Sequence, residues 1–274
     1  KRQKASKVLM KIIFFFLAFF CVLFAKPSQV IPQLSVKVKD FFEIPQAKDF
    51  LYKDIKYRIF LAKSKLQGAN YKLFVSLDGN AFFPRILNLY QNPPKEPIII
   101  VGVGYDSPKA FDTLKRTRDY MPKVLGEDFQ GGGGDKEFLS FVQEILLPFL
   151  AKKYPINPDY KAFFGHSFGG IFVLNSLLKE SRDFTHFFIN SPSLWWGEAS
   201  FLPREIRLKS CPLIFITQGE LESHLVEKKS FLSAQSLANR ITQESACVAY
   251  FKSFEGQTHG SVIEKDMEFA LENF

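Results

Sequence analysis

Apolar residues in this chain follow two recurring patterns, which together predict its fold. Six short runs are dense in β-branched and aromatic residues, as is typical of buried strands in a parallel sheet. They are YKLFVSLDG, PIIIVGVGY, YKAFFGH, THFFINS, PLIFITQG and VAYFKSFEG. Two earlier runs, LSVKVKDF and IKYRIFLAK, alternate apolar and polar residues. That alternation predicts antiparallel edge strands with one face in water.

Stretches of helical periodicity separate these runs. Residues 135–155 place apolar side chains on one face of a helix, and residues 169–180 are apolar almost all round, which predicts a buried helix. Residues 228–242 and 260–274 also read as helices. Strands that alternate with helices predict an α/β fold with a mainly parallel sheet, antiparallel N-terminal edge strands and helices on both faces.

The first 25 residues differ from the rest of the chain. They hold five basic residues and no acid, the apolar run Ile12 to Phe24 follows all five of these charges, and Ala25 is a small residue at a cleavage position. We interpret residues 1–25 as a signal peptide and residues 26–274 as one exported domain. This predicts a periplasmic protein with no membrane attachment after cleavage. An uncleaved N-terminal anchor is the alternative.

Charge and cysteine spacing exclude several classes of function. The net charge of +8 falls to +3 without the first 25 residues, because 36 − 5 = 31 basic residues then face 28 acidic ones. With no RNA or DNA motif either, a nucleic-acid partner is not expected. No metal-binding spacing is present, so we expect neither metal nor cofactor. Cys211 and Cys247 lie near the starts of two predicted strands, where they either form a disulfide or remain buried thiols.

The clearest chemical signal is GHSFGG, residues 165–170. The motif G-x-S-x-G marks a nucleophile when a strand precedes it and a helix follows, and both are predicted here. Gly165 and Gly169 lack side chains that would keep the helix from packing close to the strand. We therefore predict Ser167 as a nucleophile; the alternative is a tight turn with an idle serine.

A serine nucleophile needs a base, and the chain has four histidines. His166 should point away from the turn, His186 begins an apolar strand, and His224 lies in a polar loop. His259 follows the last predicted strand, where a parallel sheet presents its loops above the carboxyl ends of the strands. We predict His259 as the base; the alternative is a loop histidine that caps the last helix.

An acid must then orient the imidazole. Glu220 and Glu222 follow the strand PLIFITQG, and the chain order serine, acid, histidine matches the α/β-hydrolases. We favour Glu222, because three residues after Gly219 the chain has left the strand and can turn a side chain toward His259. Glu220 is the second candidate, and both glutamates being solvated loop acids is the alternative.

An oxyanion hole requires two backbone N–H donors. We predict that Phe168, which follows the nucleophile, supplies one of them. The other is expected from the loop after an earlier central strand, where FVSLDGNAFF offers Gly79 and Asn80.

In these motifs the chain resembles an esterase branch of the α/β-hydrolases, and within it the trilactone esterases that open ferric enterobactin and related catecholate siderophores. The resemblance rests on LDGNAFF, VGVGYD, RTRDYMP, GGGGDKEFLSFV, GHSFGG, NSPSLWW, GELE and FEGQTHGSV. It implies an α/β-hydrolase fold with Ser167 and His259 as nucleophile and base. The acid varies in this family, and some members resemble Ser–His pairs. Met121 stands where the family commonly has threonine.

The resemblance also implies substrate-binding residues. It places Arg116 and Arg118 near the mouth of the site. A ferric tris-catecholate carries negative charge, which arginines attract, and flat rings, on which Trp195 and Trp196 could stack. The alternative is that Arg118 pairs with Asp119 or another acid and that one tryptophan is core.

Taken together, the sequence predicts a periplasmic serine esterase that hydrolyses the trilactone of a ferric catecholate siderophore and so releases iron. Its partner is a small-molecule substrate, and the oligomeric state stays open. One alternative is an esterase or acyltransferase of the same branch that acts on carbohydrate acyl esters or thioesters. Another is a non-catalytic protein that binds ferric catecholates and keeps the elbow, the strand–turn–helix segment around Ser167, without using its serine.

Overall fold

Nine strands form one mixed sheet in the computed structural model, which describes residues 28–179, 183–222 and 232–274. The strands are β1 (Phe42–Glu43), β2 (Lys48–Tyr52), β3 (Ile55–Ser64), β4 (Tyr71–Ser76), β5 (Ile98–Tyr105), β6 (Ile156–His166), β7 (His186–Asn190), β8 (Leu213–Gly219) and β9 (Ala249–Phe254). The helices are α1 (Val38–Phe41), α2 (Gly79–Asn88), α3 (Thr113–Tyr120), α4 (Asp135–Ser140), α5 (Leu147–Lys153), α6 (Phe168–Leu178), α7 (Ala234–Ser245) and α8 (Val262–Glu272). A π-helical segment, Phe141–Leu146, joins α4 to α5, and three 3₁₀ segments span Glu127–Phe129, Trp196–Ala199 and Glu220–Glu222.

The order of strands in the sheet is β1-β3-β5-β4-β6-β7-β8-β9, with β2 also paired to β3. Strand β3 is antiparallel to β1, β2 and β5, whereas every neighbouring pair from β5 to β9 is parallel. This confirms the predicted mainly parallel sheet with antiparallel N-terminal strands. The loops that leave β4, β6, β7, β8 and β9 therefore all emerge at one edge of the sheet, where α/β proteins place their sites.

Both faces of the sheet are buried. Successive residues of a strand point to opposite faces, so Phe74 and Phe164 pack in one core and Val75 and Phe163 in the other. The core of Phe74 includes residues of α2 and α8, and the core of Val75 includes residues of α4, α6 and α7. These two layers explain why the central strands are apolar on both sides, and they confirm helices on both faces.

The first predicted edge strand is wrong. LSVKVKDF covers residues 34–41, of which Val38–Phe41 is helical. The short strand that pairs with β3, Phe42–Glu43, follows this run. The alternation does not mark a buried face, because Val36 is 80% exposed while Val38 and Phe42 are buried. Of the residues in this run only Val38 is buried, so its apolar residues do not line one buried face of a strand.

A disulfide joins Cys211 to Cys247 and settles the choice between a bridge and two free thiols. It connects the chain just before β8 with the chain just before β9, two parallel neighbours. The predicted signal peptide, residues 1–25, lies outside the described residues. Among the helices of the described ranges, none is both long and apolar enough to cross a membrane.

Candidate active site

Ser167 occupies a sharp turn between β6 and α6. Its backbone angles, φ 60° and ψ −116°, lie where residues with a side chain are strained. A side chain at Gly165 would collide with the carbonyl group of Gly169, and one at Gly170 would lie 2.8 Å from the carbonyl oxygen of Asn190. The glycines therefore let the helix pack against the strand ends while Ser167 is held at the tip of the turn.

His259 and Glu222 continue from this serine as one hydrogen-bonded chain. His259 Nε2 lies 3.0 Å from Ser167 Oγ, and His259 Nδ1 lies 2.7 Å from Glu222 Oε2. Glu222 Oε1 accepts hydrogen bonds from the Ser191 hydroxyl and the Gly219 N–H, both at 2.8 Å. The fold thus brings together the three residues singled out as nucleophile, base and favoured acid, from the ends of β6, β8 and β9.

The carboxyl group of Glu222 is held in its charged form. Burial by itself would raise its pKa, but the hydrogen bonds from His259 and Ser191 outweigh burial and keep the pKa below its ordinary value. Glu220 points elsewhere, since its Oε2 accepts a hydrogen bond of 2.9 Å from the Gly256 N–H. The geometry therefore favours Glu222 over Glu220 as the partner of the imidazole.

The other histidines lie away from the serine hydroxyl. His166 is buried below the turn, as its alternating position on β6 requires. His186 is buried too, with Nδ1 2.8 Å from Thr185 Oγ1 and its ring stacked on Tyr160, and burial lowers its pKa to about 4. His224 lies outside the described residues. The described part of the chain holds no His, Cys, Asp and Glu cluster suited to a metal ion.

The predicted oxyanion donors sit at two adjoining helix N-termini. Phe168 is the first residue of α6, and Gly79 and Asn80 are the first residues of α2. The first backbone N–H groups of a helix have no partner within it, and here the bonds inside α2 start with Ala81. The Asn80 side chain fixes this end by bonding both to the N–H and to the carbonyl group of Tyr105. Each terminus favours a developing negative charge.

Arg116 joins these two helix ends through Asp78, a residue that sequence reasoning missed. The Arg116 Nε and Nη2 atoms lie 2.9 and 2.8 Å from the two Asp78 carboxylate oxygens, in a pair that is almost wholly buried. Its guanidinium carbon lies 5.1 Å from the centre of the Phe168 ring. Asp78 directly precedes Gly79, so this ion pair fixes the start of α2 beside the elbow.

Arg118 is paired with acids, which is the alternative that the sequence analysis gave for this residue. It forms an ion pair with Asp119 and a second one, at 3.0 Å, with Glu137. Asp119 is fully buried and also accepts a hydrogen bond of 2.9 Å from the Tyr105 hydroxyl. Burial raises the pKa of Asp119 to about 6 in spite of these partners. One third of the Arg118 side chain stays exposed.

The two tryptophans have different environments. Trp196 is buried, and its Nε1–H donates a 3.0 Å hydrogen bond to the Pro122 carbonyl. Trp195 is 43% exposed, and its ring centre lies 5.8 Å from that of Phe168, next to the elbow. Trp195 is therefore the aromatic face of this pair that a ligand can reach.

Ser193 is a further residue that the sequence analysis missed. Its Oγ lies 3.0 Å from Ser167 Oγ, and its N–H lies 3.3 Å from the Ser167 carbonyl oxygen. When Ser167 donates its proton to His259, the remaining role for the buried Ser193 hydroxyl is to donate to Ser167 Oγ. The motif NSPSLWW, which includes this serine, was the available signal.

Comparisons with known proteins relate the chain to esterases. A family model described as "Putative esterase" matches residues 50–261, a range that includes Ser167, Glu222 and His259. Ferri-bacillibactin esterase BesA of Bacillus subtilis is 29% identical over 245 residues, covering 78% of this chain and 84% of that protein. An apo-salmochelin esterase of Escherichia coli is 29% identical over 239 residues, covering 78% and 73%. The solved structure of the BES protein from Bacillus cereus is 28% identical, with a TM-score of 0.70, and covers 82% of this chain and 92% of that one.

Proposed function

Since this chain belongs to the esterase family that matches residues 50–261 and is a serine ester hydrolase of the α/β-hydrolase fold, we propose that it hydrolyses the lactone esters of catecholate siderophores. In this proposal Ser167, His259 and Glu222 form the catalytic triad. The observation that carries it is the hydrogen-bonded chain Ser167–His259–Glu222, with distances of 3.0 and 2.7 Å. The substrate class follows from relatives named for ferri-bacillibactin and apo-salmochelin.

The chemistry proceeds in two halves. Ser167 Oγ gives its proton to His259 Nε2 and forms a bond to the lactone carbonyl carbon. The resulting oxyanion accepts hydrogen bonds from the Phe168 N–H and from the Asn80 or Gly79 N–H, each contributing about 3 kcal/mol. His259 then protonates the departing alkoxide oxygen, which opens the ring and leaves an acyl-enzyme. Water, deprotonated by His259, then attacks the acyl carbon, and His259 returns that proton to Ser167 Oγ as the acyl group leaves.

Substrate recognition is proposed to combine an aromatic face with cationic side chains. Trp195 offers its exposed ring to a catechol beside the elbow, whereas Trp196 supports the site from the core. Arg118 keeps a third of its side chain exposed and can attract an anionic ferric complex while it remains paired. Arg116 acts indirectly, because its pairing with Asp78 orders the start of α2.

We also propose that the protein works in the periplasm, with residues 1–25 removed as a signal peptide and residues 26–274 forming one domain free of the membrane. The basic and apolar pattern of the leader supports export. The Cys211–Cys247 disulfide supports it independently, because such bridges persist in oxidising compartments.

Chromatography of siderophore digests tests the proposed substrate. Ferric and iron-free enterobactin are each incubated with the protein, and the products are separated by reverse-phase chromatography with a Ser167→Ala control. We expect linear trimer, then dimer and monomer, from the wild type alone. If neither form is opened while a simple aryl ester is cleaved, the substrate assignment fails. In that case, hydrolysis of carbohydrate acyl esters or thioesters in the same assay indicates the alternative esterase activity. Binding of the ferric siderophore without turnover of any ester indicates a non-catalytic binding protein.

Replacing Ser193 with alanine tests whether its hydroxyl assists the nucleophile. The 3.0 Å contact with Ser167 Oγ stabilises negative charge there during attack and departure. We expect kcat to fall by about 5- to 50-fold with little change in KM, as for loss of one neutral hydrogen bond that strengthens in the transition state. An unchanged kcat in a folded Ser193→Ala protein contradicts this role.

A further inference from the structure

A second, buried polar network lies directly beneath the proposed base. The His166 ring is centred 4.8 Å from the His259 ring, and His166 Nδ1 lies 3.0 Å from Asp266 Oδ2. Asp266 belongs to α8 and is fully buried. Neither His166 nor Asp266 takes part in the proposed chemistry, so a buried carboxyl group and imidazole remain to be explained.

The network continues across three parallel strands in register. His166 of β6 is paired with Asn190 of β7, and Asn190 with Thr217 of β8. Thr217 Oγ1 lies 2.6 Å from Asp266 Oδ1 and 3.0 Å from Asn190 Oδ1. Strand pairing thus places these polar groups side by side in a region closed to water.

The orientation of the Asn190 amide determines where the protons lie. Its Nδ2 atom is 3.1 Å from the Gly165 carbonyl oxygen and 3.2 Å from the Phe188 carbonyl oxygen. The reversed orientation would set Oδ1 against two carbonyl oxygens, so the amide donates to both of them. Asn190 Oδ1 then faces Thr217 and requires a donor, and the single Thr217 hydroxyl proton supplies it.

Because that proton is committed to Asn190, Thr217 Oγ1 can only accept from Asp266 Oδ1. We infer that Asp266 is a neutral carboxylic acid, which donates to Thr217, accepts from the His166 Nδ1–H, and so positions an uncharged imidazole beneath His259. Desolvation favours the uncharged form of both groups, since burial raises the pKa of Asp266 to about 8 and lowers that of His166 to about 3.

Charged groups around this network belong to other pairs. The charges of Glu222 and His259 act on both His166 and Asp266, and those of Asp78 and Arg116 act on His166. On the helix face toward α2, the charge of Arg85 interacts with Glu264. None of these supplies a cation that hydrogen-bonds Asp266 among the described residues, which is consistent with an uncharged acid.

Loss of the Asp266 proton would disturb the site through the network itself. The Thr217 proton would turn to Asp266 and leave Asn190 Oδ1 without a donor. The backbone carbonyl of Asn190 accepts the Ser167 N–H at 3.0 Å, so the elbow itself would be affected. Asp266 is therefore a positioning residue, an inference that rests on the proposed triad for its effect on rate.

Two substitutions of Asp266 separate a neutral acid from a charged one. Asparagine has one donor and one acceptor in the places of the protonated carboxyl group, whereas alanine has neither. With 4-nitrophenyl acetate, we expect Asp266→Ala to lower kcat/KM by about 10- to 100-fold and Asp266→Asn to restore most of the loss. The wild-type rate should decline above about pH 8 as Asp266 ionises, and this alkaline limb should be absent from Asp266→Asn. Equal losses in the two variants overturn the inference.

Stability and infrared spectra test the protonation without relying on turnover. The folded state keeps a proton that an unfolded aspartate releases near its ordinary pKa of about 4. The wild type should therefore lose stability relative to Asp266→Asn as the pH rises from about 4 to about 8, so that the melting temperature of the variant minus that of the wild type grows by at least about 3 °C between pH 5 and pH 7.5. The infrared difference between the two proteins at pH 7 should contain the C=O stretch of a protonated carboxyl group. A carboxylate band in its place, or a difference in melting temperature between the two proteins that does not grow with pH, refutes the inference even if no ester is cleaved.

Discussion

Replacing Ser167 with alanine is expected to lower kcat on an ester substrate by at least about 10⁴-fold. The substitution removes only the oxygen proposed to attack the carbonyl carbon, the atom that lies 3.0 Å from His259 Nε2. The two helix N-termini proposed to hold the oxyanion remain, and we expect them to account for a residual rate over water. The measurement is steady-state hydrolysis of 4-nitrophenyl acetate, with the uncatalysed rate subtracted.

The Ser167→Ala protein should fold normally. The turn depends on Gly165 and Gly170, whose positions exclude side chains, and alanine at position 167 keeps the Cβ that the turn already accommodates. Ser176, a buried serine of α6 away from the turn, provides the matched control Ser176→Ala, which should retain wild-type turnover. If folded Ser167→Ala keeps more than about 1% of the wild-type kcat, the serine is not the nucleophile.

Glu222→Gln is the variant with the second largest expected effect, a fall in kcat of about 10³- to 10⁴-fold. The two oxygens of Glu222 accept from three donors: the imidazole of His259, the hydroxyl of Ser191 and the N–H of Gly219. Glutamine offers one oxygen and one N–H₂ group, so at least one of these donors would meet another donor. The imidazole then loses either its tautomer or its orientation. The same kinetic assay measures the effect.

Glu220→Gln is the matched control, because it makes the same change two residues away. Glu220 accepts from the Gly256 N–H, and the oxygen of a glutamine side chain can accept that bond equally well. We expect kcat within about twofold of the wild type. If Glu220→Gln loses as much activity as Glu222→Gln, or if neither does, the proposed acid is wrong and a Ser–His pair or another acid operates.

The elements that sequence could predict are those governed by local pattern. The elbow follows from a strand, two spaced glycines and an apolar helix, and all three lie within a short stretch around Ser167. His259 could be proposed because the carboxyl ends of parallel strands meet at one edge, so a histidine just after the last strand lies near the elbow. Glu222 followed from chain order and the length of the turn after Gly219.

Contacts between distant parts of the chain could not be predicted in this way. The Asp78–Arg116 ion pair links a strand end to a helix in an almost wholly buried position, and neither residue has a pattern that identifies its partner. Asp266 reads as one charge in a mixed helix, because its partners on β6 and β8 are fixed only by strand register. The strand wrongly predicted in LSVKVKDF shows that a local pattern can also mislead, since alternation signals a strand only where one face is buried.

Reaction with diisopropyl fluorophosphate tests the central claim most directly, because the reagent modifies a serine activated by a neighbouring base. Intact-mass spectrometry followed by peptide mapping identifies the modified residue. We predict a single adduct on Ser167, none in Ser167→Ala, and much slower labelling in His259→Ala. A protein that gains no adduct, or that carries it on another serine while Ser167 stays unmodified, would contradict the account.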